Sequence, residues 1–230
     1  KNINLDKRTW FNLYIKQNYK ILDIGCGQLI NQLWNNNSLV IDGIDNDLGT
    51  FTKFNKLNLT NKRVFIQDFT KKWDFKDDCI KKEINTKCFD TKCYDTKCYD
   101  IILLNMSIHN CFREKDGIEN LMFEINRNSD KNTKIMVSFI DKDTIFNNNN
   151  IIEFSDKGFI KKLDDSTIIY YFPWRHNKII KEPILSKKDI ISIFKSFNWN
   201  NYEEYKNKFF CKDVGYEKLA KSIKRMVFYK

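Results

Sequence analysis

No apolar run in these 230 residues approaches the roughly 20 that a membrane-spanning helix needs, so no membrane association is expected. The mean hydropathy of -0.56 agrees. No Cys-x-x-Cys pair is present, and the cysteine count is odd at seven. Both facts argue against a disulfide framework and against a zinc ribbon. Reduced thiols in a cytosol-like compartment are expected, and no metal. The opening Lys1-Asn2-Ile3-Asn4-Leu5-Asp6 has neither an initiator Met nor a signal-peptide pattern, so the chain reads as a piece of a longer protein. Prolines number two, Pro173 and Pro183, and both fall late in the chain.

What is present is enough apolar material, 42%, for a real core. The length suits one large α/β domain, or one with an inserted subdomain. The formal net charge is +10. A polyanionic partner, nucleic acid first, accounts for such a balance. An AT-rich genome accounts for it equally, because Lys, Asn and Ile are all abundant.

Hydrophobic periodicity orders the chain as helices alternating with short apolar strands. Thr9 to Gln17 reads as an amphipathic helix on Trp10, Leu13 and Tyr14. Strands are expected over Lys20–Ile24, Ser38–Asp45, Arg63–Gln67, Asp100–Met106 and Lys134–Ile140. Helices are expected from Gly27 to about Trp34, over Gly49–Leu57 and over Gly117–Asn126. This alternation implies a mostly parallel, doubly wound, Rossmann-like sheet. A pentapeptide occurs three times in residues 86–100, as Thr-Lys-Cys-(Phe/Tyr)-Asp. Its cysteine spacing matches no common zinc pattern, and a repeat expanded in a surface loop explains it better. After Asp141 the pattern changes. Ile151–Phe154, Phe159–Leu163 and Thr167–Phe172 read as short antiparallel strands, a β insert over about 147–185 at the ligand-binding edge of the sheet. Helix returns over Lys187–Phe197, and Lys224–Tyr229 is a final strand. The organisation expected is a single domain: an N-terminal helix (7–18), a core (19–146), the insert, and a C-terminal helix and strands (186–230).

Chemistry concentrates in Ile21-Leu22-Asp23-Ile24-Gly25-Cys26-Gly27. Glycines let the chain turn tightly and approach a ligand with its backbone. Asp23 can orient that loop and accept hydrogen bonds from an ammonium. Asp45, 22 residues on, ends the second strand, where a carboxylate can take both ribose hydroxyls. Asn46 follows it. Asp68, with Phe69 beside it, ends the third strand and can accept from an adenine amine. Asn105 and Met106 end the fourth. A pyrophosphate cofactor would call for a third glycine over the helix N-terminus, but Gln28-Leu29-Ile30 follow Gly27. S-adenosylmethionine, giving S-adenosylhomocysteine, is therefore the cofactor expected.

At these residues the chain resembles the mRNA cap guanine-N7 methyltransferases, and most of all the C-terminal methyltransferase domain of large-DNA-virus capping enzymes of poxvirus and African swine fever virus type. The resemblance covers nearly the whole chain. Phe11-Asn12-Leu13-Tyr14-Ile15-Lys16 looks like the family's opening F-N-N-[WY]-[MI]-K. Ile21 to Gly27 matches V-L-D-[LI]-G-C-G. Tyr99-Asp100-Ile101 through Asn105-Met106-Ser107-Ile108-His109-Asn110 matches F-D-I…Q-F-x-x-H-Y. Lys181-Glu182-Pro183-Ile184 resembles a later P-E or T-E element. The resemblance implies a class I methyltransferase in which Lys16 pairs with the methionine carboxylate and Asn105 contacts the cofactor. It implies that Asn12, His109 and Glu182 contact the cap guanine. It implies 5′-capped RNA (a GpppN end) as partner, triphosphatase and guanylyltransferase domains in the same polypeptide, and host cytoplasm or virion as location. Whether a stimulatory subunit takes part is left open.

Two departures bear on the substrate. Asn110 stands where the family has Tyr, and Ile223 where its final strand has another. Phe172 or Trp174 of the insert is the candidate to stack on the guanine instead. Guanine N7 carries a free lone pair, so orientation suffices and no general base is required; proximity of this kind contributes about 7–11 kcal/mol. His109 is therefore expected to bind, and His176 to lie at the surface. Lys71, Lys72, Lys221, Lys224 and Arg225 are candidates for following phosphates. Two other readings stay open. One is a methyltransferase acting on protein, a small molecule or a ribose 2′-OH, although a 2′-OH enzyme needs a base such as Lys and none follows the fourth strand. The other is an inactive fold that binds RNA.

Overall fold

The structure, a computed structural model, describes residues 3–27, 32–57, 59–73, 98–146, 149–173, 178–206 and 213–230. Eleven strands are described: β1 (Lys20–Ile24), β2 (Val40–Asp45), β3 (Lys62–Ile66), β4 (Ile101–Asn105), β5 (Lys134–Ile140), β6 (Ile151–Glu153), β7 (Phe159–Lys162), β8 (Thr167–Tyr171), β9 (Ile180–Pro183), β10 (Asn201–Glu204) and β11 (Ile223–Tyr229). Helices are α1 (Ile3–Tyr14), α2 (Leu48–Lys56), α3 (Gly117–Arg127), α4 (Lys142–Ile145), α5 (Lys187–Ser196) and α6 (Val214–Ser222). Between β1 and β2 the described residues hold a 3-10 turn, Gln32–Asn35, in place of the expected helix to Trp34. The repeat lies mostly outside the described residues. Its last copy is partly visible: Tyr99 is buried, and the Asp100 carboxylate accepts from the Lys20 amide at 2.7 Å.

Seven strands form one sheet in the order β10-β11-β5-β4-β1-β2-β3. β1 to β5 are mutually parallel, and β11 runs antiparallel to β5. Parallel strands covered on both faces must be apolar throughout, and β4 is Ile101-Ile102-Leu103-Leu104, each fully buried. Burial of each such side chain contributes about 1.5–3 kcal/mol. Successive residues go to opposite faces. Ile102 and Leu104 join Leu121, Met122 and Ile125 of α3 and Phe194 of α5. Ile101 and Leu103 join Trp10 and Phe11 of α1 and Phe54 of α2.

β1 has β2 on one side and β4 on the other. The chain order therefore reverses there, and a crevice opens at the carboxyl ends of these strands. The second sheet, β6-β7-β8-β9, is antiparallel and stands at that edge. Asp141, directly after β5, fastens both of its ends. It bridges to Leu185, where the insert returns, and its carboxylate accepts from the Lys187 amide at 2.8 Å. Ile160, Ile168, Tyr170 and Phe172 form the insert's own core, closed by Leu219 of α6.

Candidate active site

The left-handed turns at Gly25 (φ +68°) and Gly27 (φ +56°) end β1. Gly25 also has no room for a side chain, since a Cβ there would fall 2.4 Å from the Ser107 Cβ. Ser107 is held in place by donating its hydroxyl to the Ile24 carbonyl at 2.7 Å. The loop after β4 is thus locked onto the loop after β1.

Three carboxylates stand at this edge. The Asp45 carboxylate accepts from the Gly27 amide at 2.7 Å and from the Asp47 amide at 2.9 Å, so it ties β2 to the glycine loop. Asn46 beside it is exposed. Asp23 is buried and accepts from the Trp34 indole N–H at 2.8 Å. Burial pushes the Asp23 carboxyl up to about 6, against the Trp34 hydrogen bond and the charge of Lys7 and with the charge of Asp45. At the end of β3, Asp68 accepts from the Thr70 amide at 3.0 Å and the Thr70 hydroxyl at 2.6 Å. Burial would raise its carboxyl, but these bonds and Lys71 outweigh it and hold it below the usual range. Phe69 is buried in the core, its ring edge 3.4 Å from where a Gly25 Cβ would sit.

Asn105 ends β4 and Met106 follows it. The Asn105 side-chain oxygen accepts from the Ser138 hydroxyl at 2.8 Å. Met106 adopts φ +59°, a left-handed conformation that a residue with a side chain adopts at a cost. It lines a cleft of about 340 Å³, open mouth included, with His109, Phe139, Ile168, Glu182 and Pro183. Met106 faces the cleft while Ser107 packs on Gly25, so the cleft and the glycine loop share one wall.

His109, on a 3-10 turn (Ile108–Arg113), places its Nε2 3.2 Å from one oxygen of Glu182 on β9. The other oxygen accepts from the Tyr170 hydroxyl at 2.8 Å, and Arg113 Nη2 lies 3.5 Å from it. Burial would raise the Glu182 carboxyl, but the hydrogen bond and charge of His109, then Tyr170 and Arg113, hold it below its ordinary value. It is an ionised acceptor set in an apolar cleft.

Several expected residues lie elsewhere. Lys16 is exposed beyond the C-terminal end of α1, and its carbonyl accepts from the Tyr19 amide just before β1 begins. It stands at the opposite end of β1 from the glycine loop, about 17 Å away at the rise of a strand. Lys7 of α1 is the lysine whose charge acts on Asp23. Asn12 is exposed two residues before Tyr14, whose ring meets the Lys134 ammonium at the start of β5, so it too belongs to the far end of the sheet. Phe172 cannot stack on a ligand in the cleft, because it is packed against Phe154 and Tyr170 in the insert core. Asn110 is half-buried on the 3-10 turn and its amide donates to the Ser107 carbonyl. Trp174 and His176 lie outside the described residues. Arg225 is buried in an ion pair with Asp6 and is withdrawn from any phosphate. Lys221 and Lys224 meet Glu217 and Glu204, and Lys71 and Lys72 are exposed. Among the described residues there is no cluster suited to a metal.

Lys7, Tyr170 and Arg113 escaped the sequence reading. The signal for Tyr170 was its place in an alternating strand, Ile168-Ile169-Tyr170, where inward positions are apolar and a phenol needs a buried partner.

No family model and no curated protein matches the sequence. Solved structures do match. An S-adenosylmethionine-dependent methyltransferase from Clostridium acetobutylicum ATCC 824 aligns with a TM-score of 0.57 at 12% identity, over 98% of this chain and 89% of its own. Streptomyces venezuelae DesVI aligns with a TM-score of 0.61 at 8% identity, over 100% and 92%. Burkholderia thailandensis 1,6-didemethyltoxoflavin-N1-methyltransferase, solved with 1,6-didemethyltoxoflavin and S-adenosylhomocysteine, gives 0.56 at 8% identity, over 100% and 78%. At these identities the likeness is one of architecture: the chain has the Rossmann-like fold of class I S-adenosylmethionine-dependent methyltransferases.

Proposed function

We propose that the chain binds S-adenosylmethionine at the glycine loop and methylates N7 of the guanine that caps RNA. The residues present fit this cofactor. The left-handed Gly25 and Gly27 open the backbone to it, and Asp45 is fixed at the end of β2 to receive ribose hydroxyls. Asp23 and Lys7, a carboxylate and an ammonium, suit the two charged ends of its methionine part. When bound, the cofactor supplies a methyl group on an already activated sulfonium.

The substrate reading is carried by Glu182. An ionised carboxylate in an apolar cleft selects a ligand edge that offers hydrogen-bond donors, and guanine presents two side by side, N1–H and the exocyclic amine. His109 holds that carboxylate and takes no proton from the base, since N7 has none to lose. The chain's work is to hold the purine, turn N7 toward the shared wall at Met106 and keep water out. Capped RNA as partner, the longer capping polypeptide and a location in infected cytoplasm or virion belong to this same proposal.

Incubation with labelled S-adenosylmethionine and GpppA-capped RNA, followed by digestion, is expected to release N7-methylguanosine. Glu182→Ala is expected to lower kcat/KM for capped RNA about 100-fold while leaving S-adenosylhomocysteine affinity unchanged. Methyl found on another atom or another substrate class overturns the reading. So does cofactor binding without any transfer, which would leave an RNA-binding fold.

A further inference from the structure

We propose that Tyr170 is a positioning residue, which reaches across from β8 to hold one oxygen of Glu182 while His109 holds the other, so that the carboxylate plane is set before a ligand arrives. Its hydroxyl donates to Glu182 Oε1 at 2.8 Å, and His109 Nε2 lies 3.2 Å from Oε2. The two donors come from different parts of the fold, the insert sheet and the turn after β4. A carboxylate gripped on one oxygen swings about its last torsion; gripped on both, it does not.

The β8–β9 register explains the choice of residue. Ile168 lies opposite Glu182, and Tyr170 opposite Ile180, so Tyr170 and Glu182 are diagonal neighbours on one face. Diagonal positions are about 7–8 Å apart, a gap a long aromatic side chain spans. The Tyr170 ring is fixed in turn, 5.3 Å from Phe172, which is 5.4 Å from Phe154. The insert core thus aims one hydroxyl. A buried phenol needs a partner, and the Glu182 carboxylate serves as one. Each carboxylate oxygen keeps a further lone pair for a ligand. Arg113 also faces Oε1, at 3.5 Å and from a half-exposed position, and Lys181 precedes Glu182 on β9 with its carbonyl toward Arg113.

Tyr170→Phe tests this, because it keeps the ring in the insert core and removes only the hydroxyl. Thermal melting confirms that the variant folds. Carbon-13 NMR of the Glu182 carboxyl, titrated in both proteins, is expected to show a higher midpoint in the variant, since a hydrogen bond to the charged form has gone. GpppG affinity by calorimetry is expected to fall about tenfold, with S-adenosylhomocysteine affinity unchanged. An unmoved Glu182 titration in the folded variant overturns the proposal. A moved titration with undiminished GpppG affinity overturns the positioning role as well. The affinity readout rests on the cap reading, but the titration does not. If the wild-type protein binds no GpppG, the substrate reading falls and the titration alone decides the role of Tyr170.

Discussion

At the scale of single residues, Asp23 shows how function and stability pull apart. Its carboxyl is pushed up to about 6, chiefly by burial. A carboxyl raised in the folded state contributes stability that is complete below its unfolded value near 3.8 and is lost as pH climbs through 6, about 3 kcal/mol in all. The proposed task is the opposite, because the charged form accepts more strongly from Trp34 and it alone attracts an ammonium by charge. S-adenosylhomocysteine affinity, measured by calorimetry from pH 8 to pH 5, is therefore expected to fall below about pH 6 and to approach a tenfold loss per pH unit. Asp23→Asn should abolish that limb and weaken binding at pH 7. A flat profile in the wild-type protein would move the ammonium away from Asp23.

At the scale of elements, α1 decides which lysine lies near Asp23. The helix runs from Ile3 at the ligand edge, where Asp6 pairs with the buried Arg225, to Tyr14 at the far edge beside Lys134. Lys7 is on the first part of that path and Lys16 is past its end. Lys7→Met is expected to weaken S-adenosylhomocysteine binding about tenfold or more, and Lys16→Met to change it less than twofold, by calorimetry. The reverse ranking would restore the Lys16 assignment. The Lys16 role comes from the resemblance alone, and the helix pattern of Trp10, Leu13 and Tyr14 does not correct it, because packing uses Trp10 and Phe11 and leaves Leu13 61% exposed. Elements whose sequence pattern matches their burial were legible: β1 and β5 fall on Lys20–Ile24 and Lys134–Ile140 as read, and α5 begins at Lys187 behind the Ser186–Asp189 capping box. β10 was not legible, because all four of its residues are exposed and no alternation marks them. β9 carries a proline, and α4 is a single turn of four residues with no period to detect. Within the site, the strand-end carboxylates and the glycine loop could be found because they sit at fixed places on strands. Phe172 reads as a ligand contact from sequence because sequence does not say which face of a strand meets the insert's own core.

At the scale of the whole molecule, part of the +10 charge is engaged inside the fold. Many cations have internal duties. Arg63 forks onto the buried Asp42, Arg225 pairs with Asp6, and Lys62 donates to main-chain carbonyls with its ammonium pushed down to about 8 by burial. Lys187 and Lys224 share Glu204. What remains near the ligand edge includes Lys72 and Lys181, with Lys71 and Arg113, which are exposed although they also face Asp68 and Glu182. If these follow an RNA backbone, affinity must fall with salt in proportion to the phosphates they neutralise, with a slope of about -0.7 per contact for a single strand. A capped RNA of about ten nucleotides should then bind more tightly than GpppG at low salt, with a log–log slope steeper by about 2 or more, and lose that advantage as salt rises. Replacing Lys71 and Lys72 with Gln should flatten the slope without touching GpppG affinity, because neither lysine lines the cleft. Equal slopes for the two ligands would mean that recognition ends at the cap and that the surplus of lysine reflects nucleotide composition alone.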